Sequence, residues 1–196
     1  MSNEVMKKDT GSVALFGNDL QKGFENMTQE DMALPFVRIL GQLSPQVTDG
    51  DAKYIESAKP GMIYNTVTSE CFDGKKGIKV IPCYYKKDYP EWSDRGDGPG
   101  APVAVHLPNS PIIQTGKRDG SKIRLPNGNY LEETASYYVL VETKGGAMTP
   151  ALITMKSTQL NVSKKWNSMM KTIQIPDGKG GMAIPPMHGV VYNLSS

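Results

Sequence analysis

A mainly β fold of short antiparallel strands, with one prominent late helix and long loops, follows from three observations. The 14 prolines and 20 glycines recur between short apolar runs along the chain, and both residues interrupt helices while suiting turns. The apolar runs themselves are of strand length and rich in β-branched and aromatic residues. A helical period of apolar residues is sustained in one place, after residue 157.

In chain order, residues 1–33 are rich in Asn, Asp, Glu, Lys and Met without periodicity, so a mobile N-terminal arm is expected, with a short helical turn at 28–32. The ordered domain then spans 34–196. Strands are expected at 36–40, 62–68, 78–85, 102–106, 136–143, 151–155 and 190–194. In the third of these, Ile78, Val80, Pro82 and Tyr84 share one face, and Lys79, Ile81, Cys83 and Tyr85 the other. Apolar groups on both faces predict a central strand. Pro82 argues against that position, because it brings no N–H to a ladder. Residues 96–120 are read as a long flexible connection. Asn127-Gly128 predicts a type I′ hairpin that sets Lys122 and Arg124 on one face of a ribbon. The helix is expected over 157–173, with Ser157 as N-cap and an apolar face of Val162, Trp166, Met169, Met170 and Ile173. On that reading Trp166 is a core residue.

With 196 residues and 38% hydrophobic content, the chain has the length of one domain with decorations. A formal net charge of +2 provides no global positive field, so any surface for an anionic partner has to arise from local clustering. Cys71 and Cys83 lack a CxxC spacing and read as reduced thiols. The run of apolar residues at 13–16 is too short for a signal peptide, and no stretch is long enough to span a membrane.

The residues that bear most on function lie at 81–95, where Tyr84, Tyr85, Tyr89 and Trp92 are interleaved with Lys86, Lys87 and Arg95 in a chain only 8% aromatic. Aromatic faces stack unpaired bases and cations neutralise phosphates, and neither interaction reads base sequence. The same pattern would also arise from a strand end and a loop that buries an indole. Lys164 and Lys165 extend the cationic set, although paired lysines on a helix also form an ordinary solvated face.

Signs of catalysis are weak. His106 and His188 have no supporting neighbours in sequence, and Cys71, Cys83, His106 and His188 lack the spacing of a zinc site. Gly96 to Gly100 lacks the Gly-Lys-Ser/Thr of a phosphate-binding loop. Pro176-Asp177-Gly178-Lys179 lacks the further ligands of a two-metal nuclease. Binding rather than enzymatic activity is expected.

Taken as an ordered set, five blocks resemble a known group. They are Leu34-Pro35-Phe36-Val37-Arg38, Pro60-Gly61-Met62-Ile63-Tyr64-Asn65, Ile78 through Tyr85, Pro150 through Leu160, and Lys164-Lys165-Trp166-Asn167. Together they resemble bacteriophage single-stranded DNA-binding proteins of the oligonucleotide-binding (OB) fold. The resemblance implies an OB-like barrel at 34–196 that binds and protects single-stranded DNA during phage replication or recombination in the cytoplasm of the infected host. It implies no cofactor, a monomer or small homo-oligomer, no membrane association, and phage replication or recombination enzymes as partners. Residue type then places DNA over Tyr84, Tyr85, Tyr89 and Trp92, with Lys86, Lys87, Arg95, Lys122, Arg124, Lys164 and Lys165 toward phosphate. Such proteins often end in an acidic tail; this chain stops at Ser196, so a longer native form is expected. A phage structural or assembly protein is the rival reading, and an accessory enzyme such as a nuclease ranks below it.

Overall fold

The computed structural model describes residues 24–94 and 101–196. The chain divides into two units, Met1–Ala33 and Leu34–Ser196. In the first, the expected helical turn is a 3-10 turn at Gln29–Asp31. It is closed by the Asp31 carboxylate, which accepts from the Thr28 N–H at 2.9 Å and the Thr28 hydroxyl at 2.8 Å. These hydrogen bonds hold the Asp31 carboxyl below its ordinary range.

Among its described residues the second unit contains thirteen strands: β1 (Val37–Ile39), β2 (Ile63–Asn65), β3 (Cys71–Phe72), β4 (Ile78–Trp92), β5 (Ala104–His106), β6 (Lys117–Asp119), β7 (Lys122–Arg124), β8 (Tyr130–Glu132), β9 (Thr134–Glu142), β10 (Met148–Lys156), β11 (Ile175–Pro176), β12 (Met182–Ala183) and β13 (Tyr192–Leu194). A short helix, α1 (Ile112–Thr115), precedes β6, and α2 (Leu160–Thr172) follows β10. The fold is mainly β with one substantial late helix, as the punctuation of the sequence predicts. Strands β1 to β3 form one sheet and β11 pairs with β12. The large sheet runs β10-β9-β4-β8-β7-β6, with β13 and β5 also paired to β4. No pairing joins β6 to β10, so among the described residues the sheet is open and the expected barrel does not close.

Strand β4 organises the whole. The strand expected at 78–85 runs through to Trp92. Alternation continues past Tyr85, and β5 and β8 bury its second half, with Tyr89 and Leu131 in a core cluster beside Ile123 and Leu125. The conflict at Pro82 is also resolved. Pairing with β13 ends at Val80, and a bulge between Pro82 and Tyr84 interrupts the β9 ladder. The strand is therefore central, and its register breaks at the residue that has no N–H. A second break in pairing between β4 and the β8–β9 strand falls opposite Pro90, for the same reason.

The main core lies on one face of this sheet, where Val80, Tyr137, Val139 and Ile153 meet Trp166 and Met170 of α2. The helix is rotated relative to its predicted face. Its buried residues are Ser163, Trp166 and Met170, while Val162 and Met169 are exposed. Tyr137 explains the rotation. Its buried hydroxyl is hydrogen-bonded to Ser163 Oγ at 2.7 Å and lies 2.9 Å from Asn167 Oδ1, so the helix must present a small polar residue where Val162 would otherwise pack. Burial raises the Tyr137 phenol above its ordinary range. Ser157 is not the cap. It adopts φ +51 in a 3-10 turn at Ser157–Gln159, and α2 starts after Gln159 with no side-chain cap.

Two further expectations are corrected. Residues 101–120 are ordered, carrying β5, α1 and β6, with Ile112 and Ile113 packed on the Tyr89 cluster. The hairpin tip is not type I′: Gly128 has φ +88 while Asn127 is not in the left-handed region. Gly128 N–H bonds to Leu125 O at 3.1 Å and Leu125 N–H to Asn129 O at 2.8 Å, the three-residue loop in which only the glycine needs positive φ.

Candidate nucleic-acid interface

The bulge at Cys83 decides which side chains share a face. Before it, Val80 and Pro82 point to the core; after it, Tyr85 does, packed at 5.0 Å between ring centroids on Tyr137. One added residue switches the alternation, so Lys79, Ile81, Tyr84, Lys86, Asp88, Pro90 and Trp92 all lie on the face away from α2. On the partner side the register is uniform from Tyr84↔Tyr138 through Lys86↔Ser136 and Asp88↔Thr134 to Trp92↔Tyr130, so β8 and β9 act as one continuous strand against β4.

The outer face of this ribbon carries an aromatic pair at each end. Tyr84 and Tyr138 are 58% and 40% exposed, their rings 5.8 Å apart and tilted by 49°. Eight residues further on, about 27 Å at strand rise, Trp92 faces Tyr130, and the row continues through Arg124 and Lys117 on β7 and β6. Lys122 Nζ lies 3.6 Å from the Tyr130 ring centroid and the Arg124 guanidinium 5.8 Å from it. The Trp92 indole N–H is buried with no partner among the described residues.

Between the aromatic rows the face is polar. Asp88 and Glu132 are buried, each beneath a lysine: Lys86 Nζ lies 3.1 Å from Asp88 and Lys156 Nζ 2.8 Å from Glu132. The Lys86 and Lys156 side chains are 39% and 52% exposed, their carboxylate partners 12% and 11%. The quartet is electrically neutral. Arg124 is likewise paired, at 3.0 Å with Asp94 and 3.2 Å with Asp119.

The structure thus brings together Tyr84, Lys86, Trp92, Lys122 and Arg124 from the residues the sequence nominates, and adds Tyr138, Tyr130, Lys117 and Lys156. Others are placed elsewhere. Tyr85 faces the core. Tyr89 is 8% exposed and packs with Leu131, leaving no open ring face, so it is a core residue and not a stacking platform. Lys87 projects from the opposite face, where a 2.7 Å pair with Glu133 raises its ammonium above its ordinary range. Lys164 and Lys165 are exposed on α2, across the sheet from Tyr84. Arg95 lies outside the described residues.

Tyr138 went unnoticed in sequence because it stands in an apolar run, Tyr137 to Val141, that reads as buried on both sides. The signal that could have found it is its phase: Tyr137 and Tyr138 must point to opposite faces, as must Tyr84 and Tyr85.

A second polar cluster corrects the reading of His106 as unsupported. Glu91 is buried, and its carboxylate accepts from His106 Nε2 at 2.8 Å, Asn127 Nδ2 at 3.1 Å and Asn129 Nδ2 at 2.6 Å. The hydrogen bond from Asn129, then that from His106, holds the Glu91 carboxyl below its ordinary range. This cluster ties β5 and the hairpin tip to β4. Among the described residues no group of three His, Cys, Asp or Glu side chains is arranged to hold a metal.

A family model described as Pam3 phage gp34-like protein matches residues 7–196. The chain belongs to that family. The comparison with curated proteins found no match, and neither did the comparison with solved structures. The bacteriophage origin implied by the sequence resemblance accords with the gp34-like family. That match takes in all the described elements of the fold, including both aromatic rows of the outer face.

Proposed function

We propose that this gp34-like protein binds single-stranded DNA without strong base preference across the outer face of β4, β9 and β8, and so protects it during phage replication or recombination in the host cytoplasm. The observation that carries the reading is the solvent-exposed Tyr84–Tyr138 pair on the outer sheet face beside Lys86. Two adjacent exposed rings offer unpaired bases a matching π surface. The paired state of Lys86, Lys156 and Arg124 implies that stacking contributes more than charge, and hence a modest salt dependence. Titrating the protein with a labelled ~30-nucleotide single strand and with its duplex, at two salt concentrations, is expected to show single-strand preference with partial weakening at high salt. Equal affinity for the duplex, or no binding at low salt, would remove the proposal.

A phage structural or assembly role remains the second reading, favoured by one observation. Val105 of β5 and its flanking residues Val103 and Leu107 expose 55%, 58% and 56% of their surface, and among the described residues β5 has no strand on its other edge. Such an edge suits self-association. A large symmetric assembly of the purified protein in the absence of DNA would favour it.

A further inference from the structure

Where the outer face of β4 begins, the sheet opens into a cleft of about 590 Å³ lined by Lys76, Lys79, Glu142, Thr143, Lys144 and Asn193 among others. Its lining carries three lysines and one carboxylate; with Lys75, Asp73 and Glu70 beside it four lysines stand against three carboxylates, a formal charge of +1, whereas the Lys86–Lys156 quartet is neutral. Two turns supply those charges, and both are held by hydrogen bonds. In the first, the Asp73 carboxylate accepts from the N–H groups of Lys75 at 2.9 Å and Lys76 at 3.2 Å, and Gly77 N–H returns to Asp73 O at 2.9 Å. Gly77 adopts φ +76, and a Cβ there would lie 2.5 Å from the Leu194 carbonyl oxygen, so glycine alone lets this turn close against β13. In the second, Gly146 N–H bonds to Thr143 O at 2.9 Å and Lys144 N–H to Glu70 Oε1 at 3.0 Å.

Lys79 and Glu142, paired at 3.0 Å, form the edge of the cleft and also the first row of the outer face. Ile81 and Leu140 form the next row, and Tyr84 and Tyr138 the one after. The cleft edge and the exposed rings are therefore neighbouring stations on one surface, about 13–17 Å apart at strand rise.

We infer that the cleft is a phosphodiester-binding site, in which Lys76 and Lys144 engage the backbone of the same strand whose bases stack on Tyr84 and Tyr138. This rests on the single-strand reading above. Lys79 is held by Glu142 and serves to place the cleft edge, while Lys76 and Lys144 are the other lysines of the lining. The strand then enters through a cationic station and crosses the aromatic one.

The test compares the wild-type chain, Lys76→Ala/Lys144→Ala and Lys164→Ala/Lys165→Ala, each titrated with a ~30-nucleotide dT strand over a range of salt. All four lysines are exposed, and the two double variants change net charge equally. The cleft variant is expected to lose about tenfold in affinity at low salt, and its log–log salt slope is expected to fall by about 1.4, two phosphates' worth on a single strand. The helix variant is expected to keep the wild-type slope. A wild-type slope in the cleft variant would overturn the cleft and leave the aromatic face standing. Equal losses in both variants would reduce the effect to overall charge and overturn it as well. Failure of the wild-type chain to bind at all would remove the single-strand reading and the cleft with it.

Discussion

Replacing Tyr84 and Tyr138 together with alanine is expected to weaken single-strand binding by roughly 2–4 kcal/mol, about thirty- to a thousandfold, since each base stacked on an aromatic side chain is worth about 1–3 kcal/mol. The salt slope should be nearly unchanged, because no phosphate contact is removed. Stability should fall little: the pair is exposed, and cross-strand aromatic pairs contribute only about 0.2–1 kcal/mol. Anisotropy titrations beside thermal melts separate the two quantities. Tyr85→Ala would not serve. That ring packs on Tyr137 over the core, so any loss of binding would be confounded with loss of fold. Affinity equal to wild type in the Tyr84/Tyr138 variant would remove the proposed platform.

The largest effect on stability is expected at Glu91. Glu91→Leu removes the buried acceptor shared by half-buried His106 and Asn129 and exposed Asn127, and should cost about 3–5 kcal/mol, since hydrogen bonds to a charged group are worth about 1.5–3 kcal/mol each. Urea denaturation at neutral pH measures it. The pH dependence has a definite sign. The folded Glu91 pKa is lowered, so between it and the unfolded value the unfolded chain binds more protons, and stability rises with pH. The contribution is therefore complete above the ordinary glutamate pKa of about 4.3 and is lost as pH falls through the lowered folded value. Glu91→Gln should be less stable than wild type at neutral pH and should lack that part of the acid-side loss. Indistinguishable denaturation profiles for Glu91→Gln and wild type from neutral to acid pH would show that the carboxylate is not organising β5 and the hairpin.

Much of the fold can be read from local signals. Proline and glycine mark the ends of β1, β2, β9, β10 and β13, and the late helix announces itself by its period. What misled were features set by tertiary contacts. Tyr89 and Trp92 look like a loop until β5 and β8 are known to flank them. The face of α2 depends on Tyr137, thirty residues away from its partner Asn167, whose hydroxyl selects Ser163 over Val162. Residues 101–120 look too rich in turns to order, yet Ile112 and Ile113 have an apolar cluster to cover. The candidate site was half legible for a related reason. Sequence shows that aromatics and cations are concentrated at 84–95, but which of them share a surface depends on a single bulge at Cys83. That bulge turns Tyr84 outward and Tyr85 inward, and it brings in Tyr138 and Tyr130 from strands whose register cannot be read locally.

The central claim, that a single strand lies across the outer face, is tested most directly by photo-crosslinking the protein to a ~30-nucleotide dT strand and identifying the modified peptides by mass spectrometry. Crosslinks at Tyr84 and Tyr138, with fewer at Trp92 or Tyr130, are the result predicted. Crosslinks confined to α2 around Lys164 and Lys165, on the opposite side of the sheet, would contradict it.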